Sequence, residues 1–144
     1  MGRQTLDDLL REARATIERF EPAAAWSAAQ DDALIVDTRA DHSAGIVPGS
    51  LHVPLSVLQW RVDPDSAWRN PHIDGLDTRL ILICDHGESS SLAAASLREL
   101  GFTRVGDVVG GFEAWEAAGL PVTQAPPAAD GLPGMGGPAP PDRS

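Results

Sequence analysis

The sequence predicts an α/β fold, with a mostly parallel central sheet of about five strands and helices on both faces of that sheet. Short, continuous apolar runs, such as "LIV" at 34–36 and "LILI" at 80–83, are typical of strands that are buried on both faces. Segments with helical character separate these runs along the chain. Strands that alternate with helices are joined by right-handed crossovers, which place the strands parallel to one another.

The first half of the chain contains two predicted helices and two predicted strands. Apolar residues recur every three or four positions, which predicts an amphipathic packing helix over about 5–19. Pro22 suits a first helical turn and opens an alanine-rich helix that runs to Ala29. The run at 34–36 is the first predicted strand, and residues 51–53, among glycines and prolines, form a short second one.

The second half repeats this alternation. "RLILIC" at 79–84 is the clearest strand, and the alanine- and leucine-rich segment at 90–100 reads as a helix closed by Gly101. "VGDVV" at 105–109 predicts another strand, and "GGFEAWEAAG" at 110–119 predicts a final helix that begins with glycine.

The chain is expected to form one domain with two flanking segments. Residues 1–21 are interpreted as an N-terminal helix packed on the domain, residues 22–122 as the domain itself, and residues 123–144 as a disordered tail. The last twenty residues hold six prolines and four glycines but few large apolar side chains. Such a segment buries too little surface to offset the entropy lost on ordering.

The composition excludes several classes of function. The net charge is −10, and all eleven basic residues are arginines. Without a lysine the chain can form neither a P-loop nor a Schiff base, and its acidic balance makes nucleic acid an unexpected partner. A single cysteine can form neither an intrachain disulfide nor a C-x-x-C pair. We expect no cofactor and no metal.

No apolar run approaches the roughly 20 residues that a membrane span requires. The N-terminal segment "MGRQTLDDLL" has two aspartates where a signal peptide has positive charge followed by an apolar stretch. These two observations predict a cytoplasmic protein without a membrane partner.

The only cysteine, Cys84, stands where the clearest strand ends, and ligands of open α/β sheets gather at such strand ends. The segment "DHGES" must then turn into a helix, and Gly87 can adopt the left-handed conformation that a tight turn needs. Backbone N–H groups of such a turn form a concave nest, and the N-terminus of the following helix adds its positive dipole. Both features favour the thiolate, which is the nucleophilic form.

An inert cysteine in the core is the alternative interpretation of the same position, because a buried thiol behaves as a small apolar residue. The polar loop and the serine-rich start of the helix favour a reactive thiol, since an inert cysteine needs neither.

Three segments, in the same order, resemble the rhodanese family. "IVDTR…GIVPGSLHVPL" is similar to the family's D-x-R followed by G-H-I-P-G-A, and "ILICDHGESSSLAAASLRELGF" is similar to its active-site loop and following helix. "VVGGFEAWEAAGLPV" resembles its closing G-G-x-x-x-W segment, and "LQWRVDP" resembles a stretch of short, single-domain bacterial members. The resemblance covers about residues 22–122 and implies a rhodanese-like fold.

The resemblance also implies a sulfurtransferase that needs no cofactor. Its cysteine takes a sulfane sulfur from a donor, thiosulfate or a persulfide, and passes it to a thiophilic acceptor such as a thiol. Cys84 is then the residue that forms the persulfide, and Asp37 and Arg39 are structural. The substrate cradle implied by the resemblance consists of Asp85, His86, Gly87, Glu88 and Ser89, with Ser90 capping the helix.

The loop departs from the family pattern C-x-x-G-x-R-S at one position. Ser89 replaces the arginine, and Glu88 adds a negative charge, so the binding of doubly negative thiosulfate should be weakened. Either another cation enters the site or the donor is less anionic. Arg61 is the candidate cation, with a surface arginine packed on Trp60 as the alternative. His86 is a second candidate for positive charge, with a solvent-facing side chain as its alternative.

Two other functions compete with sulfur transfer. Phosphatases of this fold need a loop closed by an arginine, C-x-x-x-x-x-R, and Ser90 occupies that position here. A non-catalytic sulfur carrier or binding module remains open, because the cysteine is kept while the arginine is lost. Cys84, Asp85 and His86 are adjacent in sequence, which is a poor spacing for closing a metal site.

Overall fold

The computed structural model describes residues 2–124 and has one five-stranded sheet, in which every pair of neighbouring strands is parallel. The strands are β1 (Glu18–Phe20), β2 (Leu34–Asp37), β3 (Leu51–His52), β4 (Leu80–Ile83) and β5 (Val105–Val108). Their spatial order is β1-β5-β4-β2-β3. The predicted α/β class and parallel sheet are confirmed.

Five α-helices connect and cover the strands. They are α1 (Leu6–Thr16), α2 (Pro22–Ala29), α3 (Leu58–Val62), α4 (Ser89–Glu99) and α5 (Gly111–Ala117), and a 3₁₀ turn at Leu55–Val57 precedes α3. The longest have 11 residues, and none between residues 2 and 124 has the length and apolar character for crossing a membrane.

The first helix is shorter than the sequence pattern predicts. A capping box between Thr5 and Asp8 starts α1, but the backbone at Ile17 is already extended, with φ −121° and ψ 164°. Residues 18–20 then form β1 along the edge of β5. The prediction of a helix to residue 19 was wrong because three residues are too few to show strand alternation. Phe20, the last residue of β1, is buried in the core.

Two apolar cores lie on opposite faces of the sheet. Leu80 and Leu82 of β4 face the core shared with α4, whereas Ile81 and Ile83 face the core that contains Trp115 of α5. All four side chains are fully buried. Burying a side chain of this size contributes about 1.5–3 kcal/mol to the stability of the fold. The continuous apolar run of β4 therefore stabilises the cores on both faces of the sheet.

The predicted boundaries of the other elements are close to the observed ones. Residues 22–29 are helical as predicted, and α4 starts at Ser89, one residue earlier than expected. Thr123, predicted to begin the tail, pairs with Ile46 in an isolated antiparallel bridge. The rest of the predicted tail, residues 125–144, lies outside the described residues.

Candidate active site

The loop that follows β4 packs backbone to backbone against the start of α5. Gly87 has a φ of +87°, and a Cβ at this position would come within 2.6 Å of the Gly110 nitrogen. A Cβ on Gly111 would come within 2.5 Å of the Cys84 carbonyl oxygen. The Phe112 N–H donates to that same carbonyl at 2.7 Å. Glycines on both sides therefore permit a close contact that fixes the loop around the cysteine.

Two backbone amides point at the sulfur of Cys84. The Gly87 N–H donates to Sγ at 3.1 Å and the Ser90 N–H at 3.4 Å. The side chain is 4% exposed. The sulfur therefore faces amides at the start of α4, and the interpretation as an inert core cysteine does not describe this geometry.

The pKa of the Cys84 thiol is lowered from its ordinary value. Burial opposes ionisation, but hydrogen bonds from Ser89, Ser90 and Gly87 to the sulfur outweigh it. Because the Ser90 hydroxyl donates to Asp107 at 2.8 Å, the contribution of Ser90 to the sulfur is that of its N–H. Hydrogen bonds that favour the anion are what a nucleophilic thiol requires.

Ser90 does not cap the helix, which corrects the role implied by the resemblance. Glu88 is the N-cap residue of α4 and makes no hydrogen bond there with its side chain. Ser90 lies within the first turn, and its hydroxyl is turned inward to Asp107. Within the first turn of α4, the Ser90 N–H donates to the sulfur of Cys84 instead of to a capping side chain.

The remaining loop side chains face solvent. Asp85, His86, Glu88 and Ser89 are exposed. His86 Nδ1 lies 2.7 Å from Glu113 Oε2, so the imidazole contacts α5 and not the thiol. We call Asp85, His86, Glu88 and Glu113 the outer rim. Asp85, His86 and Glu113 border a surface pocket of about 220 Å³ beside the loop.

Asp37 and Arg39 form a buried ion pair at the end of β2. Arg39 NH2 donates to Asp37 Oδ2 at 2.7 Å and to the Gly45 carbonyl at 2.9 Å. The guanidinium carbon lies 3.7 Å from the centre of the Phe112 ring. The pair thus joins the strand to the following loop and to the residue that hydrogen-bonds Cys84, which is the structural role that the resemblance implies.

Arg61 is not brought to the loop. Its side chain is 1% exposed, so the interpretation as a surface arginine is wrong, whereas Trp60 beside it is 56% exposed. Arg61 NH1 donates to the Trp68 carbonyl at 2.7 Å, and its Nε and NH2 have no hydrogen-bond partner within residues 2–124. Burial lowers the pKa of this guanidinium.

Four residues that the sequence did not single out, Arg14, Arg19, Ser91 and Asp107, contact the loop or Ser90 from the protein side. We call Arg14, Arg19, Ser90, Ser91 and Asp107 the buried network. Asp107 Oδ2 accepts hydrogen bonds from the hydroxyls of Ser90 and Ser91, each at 2.8 Å, and Arg19 Nε donates to Asp107 Oδ1 at 3.0 Å. The sequence held one signal: an aspartate inside an apolar strand must find buried partners.

The comparisons with known proteins agree with this geometry. The family model for the rhodanese-like domain matches residues 21–118. The thiosulfate sulfurtransferase GlpE of Ectopseudomonas mendocina is 36% identical over 102 residues, which are 69% of this chain and 85% of GlpE. The adenylyltransferase and sulfurtransferase uba4 of Ogataea parapolymorpha is 29% identical over 79% of this chain, but the match spans only 26% of uba4.

A solved structure extends the likeness to three dimensions. RPA3614 from Rhodopseudomonas palustris, described as a possible tyrosine phosphatase, superposes with a TM-score of 0.75 at 30% identity. The match covers 85% of this chain and 97% of RPA3614. With its parallel sheet, its cysteine loop at the end of β4 and these relatives, the chain belongs to the family of rhodanese-like domains.

Proposed function

We propose that this chain is a sulfurtransferase that moves a sulfane sulfur from a donor to a thiophilic acceptor through a persulfide on Cys84. The observation that carries the proposal is the sulfur of Cys84 held by the N–H groups of Gly87 and Ser90 at the start of a helix. Such a site stabilises an anionic nucleophile without a metal or a cofactor. The relatives named as sulfurtransferases support the same chemistry.

The first half-reaction is a displacement at sulfur. The Cys84 thiolate attacks the outer sulfur of thiosulfate, the S–S bond of the donor breaks, and sulfite leaves with the bonding electron pair. A persulfide donor reacts in the same way and releases its own thiolate. In both cases Cys84 becomes a persulfide, and the negative charge moves from Sγ to the new terminal sulfur.

The loop provides donors for this displaced charge. The N–H groups of Glu88 and Ser89 make no backbone hydrogen bond within residues 2–124, and both residues are exposed. The first N–H groups of a helix lack partners inside the helix and attract anions. We assign them to the donor and then to the terminal sulfur of the persulfide.

The second half-reaction restores the enzyme. A thiolate, or cyanide in an assay, attacks the terminal sulfur, the Cys84 S–S bond breaks, and the Cys84 thiolate leaves with the electron pair. The acceptor departs as a persulfide, or as thiocyanate. One cysteine is sufficient, because the second sulfur atom comes from the donor.

Among donors, we propose that persulfides are preferred to thiosulfate. No arginine stands in the loop, and the exposed loop residues Asp85 and Glu88 are acidic. A donor with two negative charges is repelled by such a surface more than a donor with one.

The loop does not support phosphoryl transfer. The side chain at the arginine position of a phosphatase loop is Ser90, which is fully buried and donates to Asp107. A bidentate clamp on a phosphoryl group is therefore missing, although RPA3614 is described as a possible tyrosine phosphatase.

Mass spectrometry after mixing with each donor tests the proposal. We expect the full chain to gain the mass of one sulfur atom at Cys84 and to lose it on addition of a thiol. Cys84→Ser should gain none, and its transfer rate should fall at least about a thousandfold, because no group replaces the nucleophile. If no donor modifies Cys84, the chain acts as a binding module and the proposal is wrong.

A further inference from the structure

We propose that Arg14 and Arg19 are positioning residues for the sulfur of Cys84, acting through the Gly87 carbonyl and the Asp107 carboxylate. The consequence for catalysis rests on the proposed function, whereas the effect on the thiol itself does not. These two arginines, from α1 and β1, provide positive charge next to a loop that lacks its own arginine.

Two arginine side chains bind the carbonyl group of Gly87. Its carbonyl accepts hydrogen bonds from Arg14 NH2 at 3.0 Å and from Arg19 NH2 at 3.1 Å, and the Ser91 hydroxyl lies at 3.2 Å. The N–H of the same residue donates to the sulfur. Because a peptide unit is planar, anchoring the Gly87 carbonyl also fixes the direction of the N–H of Glu88, which points to the opposite side.

Ser90, the second amide donor, is held through Asp107. The carboxylate is fully buried and accepts from the Ser90 hydroxyl, while Arg19 binds the carboxylate through Nε at 3.0 Å and NH2 at 3.3 Å. A buried carboxylate without a cation carries a large desolvation penalty, so Arg19 is the group that permits Asp107 to remain there. Both residues that donate to the sulfur are thus anchored in the buried network.

The charge of the buried network favours an anion on Cys84. Arg14 and Arg19 carry two positive charges and Asp107 one negative charge, which leaves one positive charge in excess. Little water separates these groups from the loop, since Asp107 is fully buried and the Arg19 side chain is 23% exposed. Charges act more strongly on one another in such surroundings than across solvent.

The other charged groups around the loop are paired with each other or face water. Arg39 is paired with Asp37, and His86 with Glu113. Asp85 and Glu88 are exposed. Their influence on the sulfur is screened by solvent and salt.

The strand register explains why these residues meet. Arg19 of β1 stands opposite Asp107 of β5 in the parallel pairing. Arg14 arrives from α1, and its Nε donates to the Ser91 hydroxyl of α4 at 3.0 Å. The N-terminal segment, predicted only to pack on the domain, is therefore part of the support of the active-site loop.

The test measures the pKa of Cys84 from the rate of alkylation by iodoacetamide as a function of pH. Cys84 is the chain's single cysteine, so the signal is specific. Arg14→Gln and Arg19→Gln should each raise the pKa of Cys84 by about one pH unit, because each removes a cation that favours the thiolate. Arg19→Lys keeps the charge and should recover part of the change.

Asp107→Asn and Arg11→Gln complete the experiment. Asp107→Asn removes a negative charge and keeps an acceptor oxygen for the serine hydroxyls, so we expect the pKa of Cys84 to fall. If these residues only held the structure together, every substitution in the buried network would shift the pKa of Cys84 in the same direction. Arg11 lies on the same helix as Arg14, but within residues 2–124 its side chain bonds only Asp8, at the surface. Arg11→Gln should therefore leave the pKa of Cys84 unchanged.

An unchanged pKa of Cys84 in folded Arg14→Gln and Arg19→Gln, as judged by circular dichroism, would overturn the proposal. If Arg19→Gln fails to fold, the result with Arg14→Gln decides the test. Arg14 is only half-buried, and its substitution leaves no carboxylate unpaired. A wild-type chain that transfers no sulfur, while the pKa of Cys84 still responds to these variants, would refute the proposed function and leave the positioning role standing.

Discussion

The two sides of the Cys84 loop differ in how their charges are held. On the solvent side, the outer rim carries three carboxylates, and the contact between His86 and Glu113 joins side chains that are 68% and 73% exposed. On the protein side, the buried network joins Arg19 to a fully buried Asp107 and to the Gly87 carbonyl. Exposed pairs contribute little, whereas removing one partner of a buried pair is costly.

This difference indicates a division of work. The outer rim meets the donor first and influences which donors approach, while the buried network holds the amides that stabilise the sulfur anion. The loop arginine of the family pattern is absent here, where Ser89 takes its place.

Gly87→Ala should have the largest effect, because Gly87 belongs to both sides of the loop. Alanine disfavours a φ of +87°, and its Cβ would meet the Gly110 nitrogen at 2.6 Å. The loop must shift, which moves the N–H of residue 87 away from the sulfur and its carbonyl away from the arginines. We expect sulfur transfer to fall at least about tenfold, since such strain costs about 1–3 kcal/mol.

The control is Gly49→Ala. Gly49 has a similar φ of +79°, but a Cβ there would meet nothing within 4 Å. Because the backbone strain is comparable, this variant should lose a comparable amount of thermal stability. Its transfer rate and the pKa of Cys84 should stay at their wild-type values. Equal losses of transfer in both variants would mean that the Gly87 loop geometry is not specifically required.

Ser89→Arg should change donor binding more than it changes the thiol. An exposed arginine at the start of α4 would attract thiosulfate, and we expect its KM to fall roughly tenfold. Ser89→Arg and Ser89→Gln both lose the hydroxyl whose hydrogen bond lowers the pKa of Cys84. That pKa should therefore differ between the two variants by less than about half a pH unit, because solvent screens an exposed charge. Steady-state rates and the alkylation profile, with Ser89→Gln as control, separate the two effects. A large change in pKa with no change in KM would contradict the division of work.

Arg61→Met should have the smallest effect. It tests whether a buried cation influences sulfur transfer without any contact to the Cys84 loop. Arg61 is as buried as Asp107, but its side chain hydrogen-bonds only the Trp68 carbonyl among residues 2–124. We expect kcat/KM for thiosulfate to stay within about twofold of wild type, because methionine keeps the packing volume while no loop contact is lost. A tenfold loss with thiosulfate would instead return Arg61 to the donor site.

The reactive position was predictable because its signals are local. An apolar run that ends at Cys84, a glycine three residues later and a helix just beyond are neighbours in the chain. Together they predict a thiol at a strand end beneath backbone amides, and the structure shows Gly87 and Ser90 donating to Sγ. The sequence also shows directly that Ser89 replaces the loop arginine of the family pattern.

The groups that support this position were not predictable in the same way. Arg19 and Asp107 are 88 residues apart, and Arg14 and Gly87 are 73 apart. β1 has only three residues, and the apolar spacing of the preceding helix continues into it. No local pattern therefore predicts a strand at this place. The inward turn of the Ser90 hydroxyl likewise depends on Asp107, which lies 17 residues further along the chain.

The sequence by itself determined the layered sheet, the place of the cysteine and the absence of an arginine from its loop, because periodicity and turn chemistry act within a few residues. Only the tertiary structure decided which cations contact the Cys84 loop. The parallel pairing of β1 with β5 sets Arg19 against Asp107, and the packing of α1 on α4 brings Arg14 to the Gly87 carbonyl. A strand register is a property of two distant segments, and neither segment encodes it alone.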